Sequence, residues 1–365
     1  MKKKILIVVG TRPNFVKITQ FKKVAEKFEN LELKIVHTGQ HYDDKMSTIF
    51  LKQFGIEVDY FLEINSSSAN NLIGEIIIKL ENVVNEFSPD LLLCVGDVNS
   101  TLAAAICANK LGVKLGHIES GLRSLDRKMP EEINRILTDE ISDICFVTEK
   151  SGIQNLKNIG KLDAQIAFVG NTMIDTLVHF KDEIEASAIL EDIQQEKSQY
   201  ILATLHRPRN VDTKEALLKI IDLFKQLTKN SNVVFPIHPR TKSSFIKFNL
   251  FDTLTEFENL IIIEPQNYFS FQKLIKYSFC VITDSGGIQE ETTFLQIPCI
   301  TLRENTERPS TIEEGTNELM TFDTQKIVQK IGHISEGKNT KGTIPKFWDG
   351  KATQRIIEKS LEFLA

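Results

Sequence analysis

The sequence predicts an α/β protein with two doubly wound parallel sheets, and three observations carry that prediction. Short apolar runs alternate with longer stretches of helical periodicity, the signature of successive strand–helix–strand units. These runs fall into two sets, separated by a helical and then polar stretch. The 365 residues are also enough for two domains that each bury a core.

The first set of expected strands is 5–9, 33–37, 91–95, 113–118 and 144–147. Between them Leu72, Ile73, Ile76, Ile77, Leu80, Val83, Val84 and Phe87 recur at helical spacing, and the pattern stops at Ser88 before Pro89. The second set is 200–204, 233–236, 260–263, 280–283 and 299–301. A helical pattern over 173–193 bridges the sets, a loop rich in Gly, Lys, Pro and Thr covers 338–350, and helical periodicity resumes at 352–364. The expected division is 1–172 and 173–350, with 351–365 as a terminal helix. Ligands of open parallel sheets bind beyond the carboxyl ends of the strands, so the expected site is a cleft between the two halves.

Composition removes several function classes. Hydrophobic residues at 41% and charged residues at 25% exclude fibrous and wholly disordered chains. A net charge of -5 gives no overall pull toward nucleic acid or an anionic membrane, so an anionic ligand must be held by local groups. The apolar run 5–9 is too short for a signal peptide or a membrane span. Five cysteines lie in apolar runs without a CxxC pair, which fits a reducing cytoplasm, and no HxH or HExxH spacing marks a metal site.

Candidate chemistry lies at strand ends, the edge of a parallel sheet that meets ligands. Gly10-Thr11-Arg12-Pro13 follows the first strand and opens a helix, but it is not the GxGxxG of a dinucleotide site. Asp97 follows 91–95 and Glu119 follows 113–118, which puts two carboxylates on one wall where acid–base chemistry would use them. Glu131 and Arg135 start a helix at i,i+4 spacing, which by itself reads as a local ion pair. In the second half, His206-Arg207 and His238-Pro239-Arg240 make a basic wall. The strongest local signal is 283–291, where Ser285, Gly286 and Gly287 begin a helix whose N–H groups and dipole suit a phosphate. Glu291 follows in that helix, and Arg308 can reach the same anion.

Taken in order and spacing, GTRP (10–13), HTGQH (37–41), GDVNST (96–101), HIESGLR (117–123), PEEINR (130–135), HR (206–207), HPR (238–240), DSGGIQEE (284–291) and TERP (306–309) resemble one family. It is the non-hydrolysing UDP-N-acetylglucosamine 2-epimerases. The resemblance implies a GT-B-like fold of two Rossmann-like domains with a central cleft, the terminal helix returning to the first domain. It implies reversible conversion of UDP-GlcNAc to UDP-ManNAc by elimination of UDP to 2-acetamidoglucal and re-addition. No metal or cofactor is implied, and a homodimer is.

Carried over by motif, Asp97, Glu119, Glu131 and His206 take the catalytic positions. Arg12, His238, Ser285, Gly286, Gly287, Glu291 and Arg308 take the nucleotide and diphosphate contacts, Glu291 at the ribose, and Lys17 and Arg135 other polar positions. Two departures stand out. Many relatives carry a glutamate where this chain has Arg209, in a segment that with Gln40-His41 binds a second UDP-GlcNAc as activator in bacterial members. The opening also lacks the GSRAE-type start of hydrolysing relatives. The competing readings are a 2-epimerase of a UDP-diacetamido-uronic acid, with Arg209 or Arg123 meeting the extra carboxylate, and a GT-B glycosyltransferase.

Overall fold

The structure, a computed structural model, describes residues 2–39, 50–65, 68–338 and 342–365. Its contacts divide the chain into two units: Met1–Val178 with Lys346–Ala365, and His179–Pro345.

Unit 1 holds a seven-stranded sheet of β1 (Lys3–Val9), β2 (Leu31–His37), β3 (Tyr60–Phe61), β4 (Leu91–Val95), β5 (Lys114–Ser120), β6 (Ile144–Val147) and β7 (Ile166–Phe168). The order is β3-β2-β1-β4-β5-β6-β7, and every pairing is parallel. Near-continuous apolar strands suit a sheet covered on both faces. On one side Leu6, Val8, Leu92 and Cys94 pack under Leu72, Ile76, Leu80 and Val84 of the helix Ala69–Phe87. On the other, Ile5, Ile7, Leu91 and Leu93 meet Phe15, Phe21, Ile356 and Ile357. The last two belong to the terminal helix Ala352–Phe363, whose first backbone N–H groups, of Ala352 and Thr353, donate to the buried Asp175 carboxylate at 3.0 and 2.6 Å.

Unit 2 holds a six-stranded parallel sheet: β8 (Tyr200–Thr204), β9 (Asn232–Pro236), β10 (Leu260–Ile263), β11 (Cys280–Thr283), β12 (Cys299–Thr301) and β13 (Asn317–Leu319), in the order β10-β9-β8-β11-β12-β13. Ile201, Ala203, Val233, Phe235 and Ile282 form its main core with Leu217, Ile220 and Phe224 of the helix Lys214–Leu227.

All ten expected strands are present, with boundaries shifted by at most two residues. Three strands were not expected. β3, β7 and β13 have two or three residues and lie at sheet edges, where one neighbour is enough and no apolar run is required. The bridging pattern over 173–193 is three helices, Thr172–His179, Lys181–Ala186 and Ile189–Asp192. All five cysteines are buried and free. Among the described residues no helix is long and apolar enough to cross a membrane.

Each sheet reverses its winding direction once, between β1 and β4 in unit 1 and between β8 and β11 in unit 2. Such switch points open a crevice at the strand ends. The residues after β1 and β4 are 10–14 and 96–101; those after β8 and β11 are 205–211 and 284–291.

Candidate active site

Unit 1 gathers its candidates around Gly96. This glycine has φ +71, and a Cβ there would lie 3.3 Å from Lys17 Nζ and 3.4 Å from both Asn14 Nδ2 and Glu119 Oε2. Only glycine supplies both the left-handed backbone and the room. Asn14 braces the turn: its Oδ1 accepts from Gly10 N and Thr11 N at 3.1 Å, and its Nδ2 donates to the Val95 carbonyl at 3.1 Å. One turn on, Lys17 forms a buried ion pair with Glu119.

Glu119 owes its position to a β-bulge rather than to the end of the strand. In the β5–β6 ladder Ile118 pairs with Phe146 and Ser120 with Val147, which leaves Glu119 as the extra residue, with φ +72. A bulge re-aims the inserted side chain, and left-handed backbone at a non-glycine residue is strain that the surroundings must hold. The surroundings do so through buried charge. His117 Nε2 donates to the Gly96 carbonyl at 2.7 Å, and its Nδ1 meets Asp139 Oδ1 at 2.7 Å. Asp139 Oδ2 accepts from Gly121 N at 3.1 Å and from Arg123 Nη1 at 2.6 Å. Burial pushes the Asp139 carboxyl up, but His117 and Arg123 outweigh it and hold it below its ordinary value.

Asp97 is partly exposed and pairs with Arg135. Arg135 also donates to Glu132 Oε2 at 2.5 Å, so the expected i,i+4 pair with Glu131 is replaced by pairs with Glu132 and Asp97. Glu132 is buried and clamps the preceding loop, accepting from Ser124 N at 2.9 Å, Ser124 Oγ at 3.0 Å and Leu125 N at 3.2 Å. Glu131 is exposed at the start of the same helix, Pro130–Ile141. Arg12 starts the helix Arg12–Ile18, with its guanidinium over the Phe50 ring at 5.7 Å.

Unit 2 is organised by Asp284, just after β11. Its carboxylate accepts from His206 N at 3.0 Å, Arg207 N at 2.9 Å and Asn210 Nδ2 at 3.0 Å, and lies 3.0 Å from His206 Nδ1. Burial raises this carboxyl, yet the contacts led by His206 hold it below its ordinary value. The His206 and His238 rings lie 5.1 Å apart at 33°. Ser285 is the N-cap of the helix Gly286–Leu295, and its side chain makes no capping hydrogen bond to the first N–H groups.

A Cβ on Gly286 would stand 3.0 Å from both Arg308 Nη1 and Glu307 Oε1 and 3.6 Å from Arg303 Nη1. Arg308 Nε forms an ion pair with Glu290 at 2.8 Å. Glu291 is buried; burial, opposed by a hydrogen bond from Gln272 and reinforced by Glu290, pushes its carboxyl up to about 8.

Of the residues singled out from sequence, unit 1 therefore brings Lys17, Asp97, Glu119 and Arg135 to one turn. Unit 2 brings His206 beside His238, and Gly286 beside Arg308. Among the described residues no hydrogen bond or ion pair joins Glu131 to either set. Gln40 and His41 lie outside the described residues. Sequence reasoning passed over Glu132, His117, Asp139, Asp284 and Arg303. A signal was available for two of them: Glu132, Arg135, Thr138 and Asp139 fall on one helix face where a buried stripe would ordinarily be apolar.

With this geometry in view, comparison with known proteins is decisive. The family model described as UDP-N-acetylglucosamine 2-epimerase matches residues 23–360. The chain belongs to that family. It is accordingly an isomerase built on two GT-B-like parallel-sheet domains. Within the family it is 38% identical to the UDP-N-acetylglucosamine 2-epimerase of Methanocaldococcus jannaschii, over 97% of this chain and 98% of the relative. It is also 38% identical to the UDP-2,3-diacetamido-2,3-dideoxy-D-glucuronate 2-epimerase of Pseudomonas aeruginosa, over 97% and 98%. The crystal structure of the M. jannaschii UDP-GlcNAc 2-epimerase in complex with UDP-GlcNAc and UDP superposes with a TM-score of 0.87 at 37% identity, covering 99% of each chain.

Proposed function

We propose that this chain interconverts UDP-N-acetylglucosamine and UDP-N-acetylmannosamine and keeps the sugar on its nucleotide. The observation that carries the reading is the pair of carboxylates, Asp97 and Glu119, set around Gly96 with a cation on each. The C2 proton is not flanked by a carbonyl, so direct deprotonation has nowhere to put the electron pair. Elimination solves this: a base takes the C2 proton, the C1–C2 double bond forms, and the C1–O bond breaks with its electrons going to UDP. Re-addition returns UDP to C1 while an acid protonates C2 from the other face. Two carboxyl groups serve this cycle, one taking the C2 proton and the other returning it.

Asp97, Glu119 and Glu131 are assigned the proton transfers and His206 a supporting role at the departing diphosphate. Lys17 and Arg135 are assigned to the reacting end, and Arg12 to the diphosphate. Ser285, Gly286, Gly287, His238 and Arg308 are assigned to the diphosphate and nucleotide, and Glu291 to the ribose hydroxyls. Cations and helix N–H groups stabilise the charge that builds on the leaving phosphate.

The unmodified sugar is favoured over the uronate by what Arg123 and Arg209 do. Arg123 is held by buried Asp139, and Arg209 forms an exposed ion pair with Glu304 at 2.6 Å. Both cations that would meet an added carboxylate already carry one from the protein, while Arg123 Nη2 is left without a hydrogen-bond partner among the described residues. The test is incubation of the purified chain with each UDP-sugar separately, without acceptor. UDP-ManNAc forming from UDP-GlcNAc supports the reading; release of free ManNAc, or turnover of the uronate alone, contradicts it.

A further inference from the structure

We propose that Arg303 is a second phosphate-binding arginine of unit 2, donating from Nη1 to the diphosphate at the N-terminus of the helix Gly286–Leu295. The inference rests on the nucleotide-sugar reading above and names a residue that reading did not include.

Arg303 lies two residues beyond β12, the strand beside β11, and is only 6% exposed. Its Nη2 donates to Glu307 Oε2 at 3.0 Å, whereas its Nη1 is buried without a hydrogen-bond partner among the described residues. A buried guanidinium N–H left unmet is costly, and in native proteins such a group is the exception that needs a reason. The direction of the atom supplies one. Nη1 stands 3.6 Å from the Cβ position of Gly286, the first residue of the helix, and Arg308 Nη1 stands 3.0 Å from that same point. A side chain at 286 would fill the space in front of both arginines. Glycine leaves it to whatever the helix N–H groups bind.

The charges point the same way. Arg303 and Arg308 share one carboxylate, Glu307, and Arg207 adds a third guanidinium whose charge Arg303 also senses. The carboxylates facing the group are Glu307 on both arginines and Glu290 on Arg308. A diphosphate offers several anionic oxygens to donors so arranged, and charge-assisted bonds to guanidinium are the strong ones. As the C1–O bond breaks, one of those oxygens gains charge, so the fork acts on the step itself.

The test measures affinities of the full chain for UDP and for uridine, by calorimetry and competition, for wild type, Arg303→Gln and Arg303→Lys. Arg303→Gln is expected to weaken UDP on the order of 10- to 100-fold, with uridine within about twofold. Arg303→Lys keeps the charge beside Glu307 but not the second donor, and falls between. An unchanged UDP affinity overturns the proposal, as does an equal loss for UDP and uridine, which is what a purely structural arginine gives. If Arg303→Gln does not fold, the same UDP-to-uridine comparison on Arg303→Lys decides. If the wild-type chain binds no UDP, the reading beneath fails and takes this one with it.

Discussion

Glu291 makes the account quantitative. Its carboxyl is pushed up to about 8 by burial, against an ordinary value of 4.5. If ribose hydroxyls donate to it, the bound form is the carboxylate, so nucleotide binding must expel the proton that burial retains. At pH 7 a group of pKa 8 is about nine-tenths protonated, so binding should release about 0.9 proton per UDP; at pH 9 the figure drops to about 0.1. Affinity should rise roughly 50-fold between pH 6 and pH 8 and then level off. Calorimetry in buffers of different ionisation enthalpy reads the proton count directly. Glu291→Gln should bind UDP more weakly and abolish this share of the release, which separates it from protons lost by UDP or by other groups. Equal proton release in wild type and Glu291→Gln at pH 7 would refute the assignment. The stability sign follows as well: because the folded value lies above the unfolded one, this carboxyl stabilises the fold least above pH 8, and Glu291→Gln should flatten the fall in stability between about pH 4.5 and 8.

Three further outcomes follow from the geometry. Asp97→Asn and Glu119→Gln should each cut turnover on the order of 10²- to 10⁴-fold while UDP still binds to unit 2; comparable loss of UDP affinity would contradict the division of labour. Asp139→Ala strips a buried carboxylate from Arg123, His117 and the Gly121 N–H, and should cost about 3–5 kcal/mol in denaturant unfolding. Since Asp139 is held below its ordinary value, its contribution is present above the unfolded carboxyl range and is lost as pH falls through the folded value. Gly121→Ala meets φ +79 and puts Cβ 2.4 Å from the Gly152 carbonyl oxygen, backbone against backbone, so about 2–5 kcal/mol should be lost, visible as a lowered melting temperature.

The parts of the fold legible in the sequence are those that apolar periodicity dictates. Strands such as 91–95 and 280–283 are buried on both faces and have to be apolar throughout, so they announce themselves. β3, β7 and β13 are too short and too far toward the edge to need such a run. Among the candidate residues, counting strand ends locates Asp97 and the Ser285-Gly286-Gly287 turn just beyond β4 and β11, whereas Glu119 falls inside β5 at its bulge. Side-chain direction was not legible. The neighbours Glu131 and Glu132 are chemically identical in sequence; one is exposed and the other is buried under Ser124 and Arg135, a difference set by which helix face meets β5 and the helix Asn99–Leu111. The bulge at Glu119 and the partners of Asp139 likewise depend on contacts between residues 16 to 28 positions apart, which no local pattern encodes.

The central claim is that the C2 proton leaves and returns through this site while the nucleotide is retained. Proton NMR of the purified chain with UDP-GlcNAc in D2O, with no acceptor present, tests it most directly. The account expects UDP-ManNAc to appear and deuterium to enter C2 of both sugars, and both signals to vanish in Glu119→Gln. Epimerisation with the C2 proton retained, or an unchanged spectrum from folded protein that binds UDP, would contradict it.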